Sequence, residues 1–432
     1  MSVTGNLTRV KIIAIGDELL EGRTADTNSQ RIQRALGGHA VQVGLIQVVP
    51  DTEIDIRQAL DRTEAGDLVF ISGGLGSTPD DTTRRVVADW AGAALIEDAA
   101  LRASMEERWR RRGITAVAGV LEQCQVPAGM VPLRNPVGSA PGLAGALSGR
   151  TVVMLPGVPA ELEGLLPGVV AWLLAQAVLP AGRPSLLWRT AQASELSLVR
   201  SSAALRERHD ALLWSWWLTD WGVDIRVAAP AADLQEQELA VVGEEMEAIL
   251  GPLVYSRRMD TLPQVVQRLL TERGQTLAVA ESCTGGMIGA RLTDEPGSSA
   301  FFRGGVLAYA DEVKIARLGV PAATLTRHGA VSEATVRAMA AGCRERFGTD
   351  YALAVSGISG PGGGTEDKPV GTTWVALATP QNVFAGHYRF PADRNRNRLL
   401  TVGAAVDTLR RVLTFREERS PWADGDTWAR PA

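Results

Sequence analysis

Along most of this chain, short apolar runs rich in β-branched residues alternate with segments whose apolar residues recur at helical spacing. From Arg9 to Val178 the runs VKIIAI, VQVGLIQVV, DLVFIS and TVVMLPG are interleaved with helical segments from Thr27 to Leu36, Thr52 to Arg62 and Thr82 to Trp90, and another follows from Pro159 to Val178. Parallel neighbours need a crossover, so strands alternating with helices form a largely parallel sheet covered on both faces. The alternation returns between Asp260 and Glu418. Helices are expected from Pro263 to Arg273, Thr284 to Leu292, Ser332 to Phe347 and Arg394 to Phe415. Strands are expected from Leu277 to Ala280, Gly305 to Tyr309, Tyr351 to Val355, Thr372 to Ala378 and Val383 to Phe390. The fold class is therefore α/β.

Between these halves, Pro180 to Pro184 reads as a linker, and residues 184–256 read as a small α+β module. A chain of 432 residues suits two or three cores. The division expected is 1–178, 184–256 and 260–418, with a disordered tail over 419–432. The module's WSWWLTDW segment has no basic stripe beside it, so core or interface packing suits it better than stacking on nucleotides.

Charge and cysteine content narrow the function. A net charge of -5 offers no footprint for nucleic acid or anionic lipid. Cys124, Cys283 and Cys343 are widely spaced and form no CxxC pair, which indicates neither a disulfide framework nor a zinc knuckle. No apolar run is long enough to span a membrane, and no basic region followed by an apolar one opens the chain. A cytoplasmic protein is expected.

In parallel sheets ligands bind beyond the carboxyl ends of the strands, so the loops there carry the candidate chemistry. In the first half these loops are Gly16 to Leu20, Ser72 to Asp81 and Leu155 to Pro159. Gly73, Gly74 and Gly76 allow a backbone to approach an anion, and Asp80 and Asp81 suit a phosphate-bound divalent ion. The alternative is that the two acids cap the helix at Thr82. Asp17 and Glu18 are likewise either ligands or first-turn acids favoured by the helix dipole.

In the second half the stretch LAVAESCTGGMIGARLTDEPGSSAFFRGGVLAYADEVK reads as strand, turn and helix, then a serine turn and a second strand. It supplies hydroxyls at Ser282, Thr284, Ser298 and Ser299, a flexible Gly285, a phenol at Tyr309 and an amine at Lys314. Gly297 to Ser299 could equally cap a helix. Cys283 could be a nucleophile partnered by His328, or a small buried residue. The loop from Ser356 to Gly364, with Gly362 and Gly363, is followed by Lys368; it suits a phosphate or serves as a connector.

Taken together, GDELLEGRTADTNS, SGGLGSTPDD, LPGVPAE, AESCTGG, GSSAFFRGGVLAY, HGAVSE, SGISGPGGGTEDKPVGT and a late DR closely resemble the motifs of the competence/damage-inducible protein A (CinA) family, in the expected order over nearly the whole chain. The resemblance implies an N-terminal domain with the fold of molybdopterin-binding proteins and an ADP-ribose pyrophosphatase activity that needs a divalent metal of open identity. It implies a KH-like middle module and a C-terminal nicotinamide mononucleotide deamidase that uses no cofactor. Such a chain would be a homodimer serving pyridine-nucleotide salvage. Carried over motif by motif, Ser299 is the nucleophile and Lys314 the base, with Tyr309 beside them. Ser282, Thr284, Gly285, Ser356, Gly362, Gly363 and Arg394 would hold the substrate. In the first domain Gly16, Asp17, Gly73, Gly74 and Gly76 would hold a nucleotide, and Asp80, Asp81 and Asp17 the metal. Ser77 stands where the family usually has proline. Two other readings remain open: a deamidase whose first domain only binds nucleotide or molybdopterin, and a transformation-associated adaptor.

Overall fold

Four parallel strands, β1 (Thr8–Ile15), β2 (Val41–Val49), β3 (Leu68–Ser72) and β8 (Arg150–Leu155), form the core of the first sheet. This computed structural model describes residues 8–39, 41–78, 81–111, 122–180, 184–229, 236–415 and 429–431. Its sheet order is β2-β1-β3-β8-β7-β6, with β6 (Met130–Leu133) and β7 (Gly142–Leu147) antiparallel at one side. Alternate residues go to opposite faces, as a pleated strand requires. Ile13, Ile15, Val69, Ile71, Val152 and Met154 share one core with the helices Glu53–Asp61 and Thr83–Ala91. Val10, Ile12, Leu68, Phe70, Val153 and Leu155 share the other with the helices Asn28–Leu36 and Pro159–Ala175. β6 and β7, and the short pair β4 (Leu95–Glu97) and β5 (Gln125–Pro127), escape the sequence reading because GLAGAL and MVPL lack a β-branched run.

Contacts divide the chain near residue 183 into two compact units, and the middle module belongs to the second. The module's strands are β9 (Ser185–Thr190), β10 (Leu213–Leu218), β11 (Val223–Ala228) and β12 (Val254–Ser256), an antiparallel sheet in the order β10-β11-β9-β12. Trp214 and Trp216 stack at 6.0 Å and pack against its core, while Trp221 packs against the C-terminal core. The tryptophan-rich segment is thus mainly packing, although Trp217 stays 45% exposed.

The C-terminal sheet runs β14-β13-β15-β16-β17-β18. β13 (Leu277–Glu281) lies between β14 (Phe302–Leu307) and β15 (Tyr351–Gly357), both parallel to it; β16 (Thr372–Ala378) and β17 (Val383–Arg389) follow antiparallel. One face is built from Ala278, Ala280, Ala352, Ala354, Ala376 and Ala378, small enough for the helix Glu333–Phe347 to lie close. The other face, with Leu277, Val279, Leu353, Val355, Val375 and Leu377, meets the helices Leu262–Arg273 and Arg394–Phe415. Thr261 and Gln264 form a full capping box at the start of the first of these, and Ser332 caps Glu333–Phe347 through the Thr335 N–H.

Three details differ from the sequence reading. β14 starts at Phe302, because Phe302 pairs with Leu277, and it ends before Tyr309. The helix expected from Thr284 starts only at Met287, because Gly285 and Gly286 adopt the left-handed region that ends a turn. Helices Asp311–Leu318 and Ala322–His328 were not foreseen. Of the tail expected to be disordered, residues 419–428 lie outside the described residues and β18 (Ala429–Pro431) pairs with β17. Among the described residues no helix is long and apolar enough to cross a membrane.

The last helix is anchored by a buried ion cluster. Asp407, 1% exposed, accepts from Arg410 Nε at 2.7 Å and Arg411 Nε at 2.8 Å, and Arg410 also donates to the carbonyls of Pro252 and Val254. Removing the carboxylate takes the shared anion away from two buried guanidinium groups. Asp407→Leu is expected to cost roughly 3–5 kcal/mol in urea denaturation. Asp220→Ala, which removes the surface partner of Arg291, should cost under about 1 kcal/mol.

Candidate active site

The carboxyl ends of β13, β14 and β15 form one rim, and most of the deamidase candidates lie along it. Ser282 follows β13, and its N–H donates to Val355 O at 3.2 Å on β15. Ala308 follows β14 and donates to Glu281 O at 2.7 Å. Ser356 ends β15, where it is 1% exposed and its hydroxyl donates to Ala330 O at 2.7 Å.

Glu281 organises the ESCTGG turn. The carboxylate is 1% exposed and accepts from the Thr284 hydroxyl at 2.6 Å and from the N–H groups of Gly286, Ile288 and Gly289 at 3.0, 3.1 and 2.9 Å. It therefore satisfies the start of the helix Met287–Thr293, where N–H groups have no partner within the helix. The Gly285 N–H is likewise taken, by Ser282 O. These donors serve the turn itself, so an oxyanion would have to find others.

The first turn of the helix Arg394–Phe415 ties this turn to the glycine-rich loop. Arg398 donates to Thr284 O at 2.8 Å, Arg394 to Gly360 O at 2.7 Å and Asn397 to Ser359 O at 3.1 Å. Arg394 is exposed, as are Gly362 and Gly363. Glu281, Asn397 and Arg398 were missed from the sequence. Arg398 carried a signal, since it stands four residues after Arg394 on the same helix face.

Lys314 is 1% exposed, and its amine donates to Tyr309 O and to Asp311 Oδ1, each at 3.1 Å. Among the described residues, two of its three donor positions are thus engaged. The Tyr309 ring itself is 65% exposed.

Ser299 stands elsewhere. It lies exposed in the turn Ser298–Ala300, before β14 begins, and its carbonyl accepts from Arg303 at 3.2 Å. Lys314 follows the other end of that strand, and six extended residues span about 16 Å. One chain therefore gathers Lys314, Tyr309, Ser282, Thr284, Gly285 and Ser356 along the rim and leaves Ser299 at the opposite end of the sheet.

In the first unit the three glycine-containing loops do converge at the ends of β1, β3 and β8. Gly73 N donates to Leu155 O at 3.0 Å, and Asn28 donates to Gly157 O at 2.8 Å. A Cβ on Gly73 would lie 2.3 Å from Ile15 O, and one on Gly74 2.1 Å from Thr83 Oγ1, both at positive φ, so only glycine fits there. Gly16 N donates to Val49 O. Asp81 accepts from the N–H groups of Gly76 and Thr78, each at 2.8 Å, and from the Thr78 hydroxyl, so it clamps the loop. Asp17 exchanges backbone and side-chain contacts with Asp51. Asp80 lies outside the described residues. Among the described residues no three His, Cys, Asp or Glu side chains gather to hold a metal ion.

Cys283 is 7% exposed, and burial pushes its thiol up to about 12; Cys343 is raised to about 12 in the same way, and Cys124 is raised as well. Folded thiols stay protonated where unfolded ones ionise, so the unfolded state binds fewer protons. Stability should fall as pH rises from about 9 towards 12. At pH 8 a thiol reagent is expected to label none of the three cysteines in the native protein and all three in denaturant. Native labelling of Cys283 would restore a cysteine nucleophile.

Residues 11–175 match the family described as "Probable molybdopterin binding domain", and residues 259–413 match "CinA C-terminal domain". A CinA-like protein of Gemmatimonas aurantiaca is 40% identical over 416 residues, covering 94% of this chain and 96% of that protein. One of Synechocystis is 38% identical over 416 residues, covering 93% and 99%. The crystal structure of a CinA superfamily protein from Klebsiella pneumoniae is 38% identical, with a TM-score of 0.35, and covers 36% of this chain and 96% of that one. Two domain matches in the order the motifs predict, together with relatives aligned almost end to end, place this chain in the CinA family.

Proposed function

We propose that the C-terminal domain is an amidohydrolase that converts nicotinamide mononucleotide to nicotinic acid mononucleotide and ammonia. The observation that carries this reading is the Lys314 amine, buried yet one hydrogen bond from the half-exposed Asp311 carboxylate, on a rim lined by serine hydroxyls and a glycine-rich loop. The substrate itself comes from the family resemblance. A serine hydroxyl attacks the carboxamide carbon, and its proton passes through the Lys314 amine to the departing nitrogen, which leaves as ammonia. Water then hydrolyses the acyl ester, releasing the carboxylate and restoring the hydroxyl. The family motif assigns the attack to Ser299, which stands at the opposite end of β14 from Lys314, whereas the Ser282 hydroxyl lies on the same rim as the amine and is the nucleophile this geometry favours. Arg394 and the loop at Gly362 and Gly363 would take the 5′-phosphate, a reading supported by their exposure.

For the first domain we assign ADP-ribose as the ligand, cleaved to AMP and ribose 5-phosphate, at the convergence of the β1, β3 and β8 loops. Support comes from that convergence at the β1/β3 boundary, where the strand order reverses. A regulator that binds nucleotide without turnover is the second reading, favoured by the commitment of Asp81 to its own loop.

Ammonia release is expected from wild type and from Cys283→Ala, with a loss of about 10²–10⁴ in kcat for Lys314→Ala. A folded Lys314→Ala protein that retains full activity contradicts the assignment. Gly74→Ala, which forces a Cβ onto Thr83, should abolish ADP-ribose binding measured by calorimetry and leave ammonia release intact. Unchanged ADP-ribose binding would remove the loop from the site.

A further inference from the structure

Amide hydrolysis ends with a proton to dispose of. A carboxamide and water give a carboxylate, ammonia and one proton. The ammonia leaves in the first step, and the carboxylic acid formed in the second is a far stronger acid than an ammonium, so its proton passes to the nearest amine. On the rim that amine is Lys314. Each turnover therefore ends with an ammonium there, which cannot take the next serine proton until it has lost its own.

The amine has little access to water. Lys314 is 1% exposed and lies on the buried face of the helix Asp311–Leu318, where Leu318 packs on the alanine face of the sheet. Of its two hydrogen-bond partners, the Tyr309 carbonyl accepts a hydrogen bond but is no base. The Asp311 carboxylate is a base, and it faces both ways: Oδ1 accepts from the buried amine at 3.1 Å, while the side chain is 51% exposed. A first-turn acid also suits a helix dipole. Glu312, exposed and with no ion pair among the described residues, is an acid of that plain kind, whereas Asp311 connects a buried amine to solvent.

We propose that Asp311 is the proton exit of the deamidase site, taking the surplus proton from the Lys314 ammonium and passing it to water, so that the free amine is ready for the next turnover. The proton moves from Nζ to Oδ1, which leaves a neutral amine and a carboxylic acid. It then moves from that acid to water or a buffer base, which restores the carboxylate. Asp311 acts through Lys314 and need not touch the substrate. The proposal rests on the deamidase reading and holds for either serine as nucleophile.

Ammonia release from nicotinamide mononucleotide is measured on the full chain for wild type, Asp311→Asn, Asp311→Ala and Glu312→Gln, each first shown to unfold in urea as wild type does. Asp311→Asn keeps an oxygen to hold the amine but cannot carry the proton. The blocked step follows hydrolysis of the acyl ester, so kcat should fall by about 10²-fold, while kcat/KM, set by earlier steps, does not fall with it. In Asp311→Ala the vacated position admits a small base, and sodium acetate should restore kcat in proportion to its concentration where sodium chloride at equal ionic strength does not. Glu312→Gln, which removes the same charge one residue away, should keep the wild-type rate. An unchanged kcat in Asp311→Asn overturns the proton exit. So does a parallel fall of kcat and kcat/KM that acetate leaves unrepaired, which is the behaviour of a carboxylate that only holds Lys314 in place. A wild type that releases no ammonia would instead remove the deamidase reading, and the proton exit with it.

Discussion

One buried carboxylate sets the geometry of the C-terminal rim. Glu281 closes β13 with its backbone and, with its side chain, collects three N–H groups and one hydroxyl of the turn that follows. Burying a charge is costly unless it is fully hydrogen-bonded, and here the helix start supplies the bonds that water would otherwise give. The tight turn fixes Thr284 O for Arg398, and through the same helix Arg394 and Asn397 reach the glycine-rich loop. The position of the rim loops thus follows from how a single acid is satisfied.

The legible part of the fold was the part written in strand and helix periods. VKIIAI, DLVFIS and TVVML are buried on both faces and became β1, β3 and β8. GLAGAL became β7 although its residues carry little strand preference, because its neighbours β6 and β8 decide its conformation. The alanines of the second sheet hid nothing in the strand pattern, but their meaning, a helix lying close against small residues, appears only in three dimensions. The family motifs marked Ser282, Ser356, Lys314 and Arg394, and the fold puts the first three along one rim, while Arg394, at the start of the last helix, donates to Gly360 O of the glycine-rich loop. Asp81 was marked too, yet its oxygens serve Gly76 and Thr78, a use that spacing cannot distinguish from ligation.

Ser299 and Lys314, paired by the family resemblance, are fifteen positions apart in sequence, but a strand lies between them and carries them to opposite ends of a sheet.

Hydrolysis of a carboxamide leaves an oxygen of water in the product, so the fate of water tests the proposed deamidation. Nicotinamide mononucleotide is incubated with the full-length protein in oxygen-18 water, and the products are followed by mass spectrometry. A single labelled oxygen in the carboxylate of nicotinic acid mononucleotide, with an equal amount of ammonia, is the result predicted. Unaltered substrate, or free nicotinamide released by cleavage at the ribose, would contradict it.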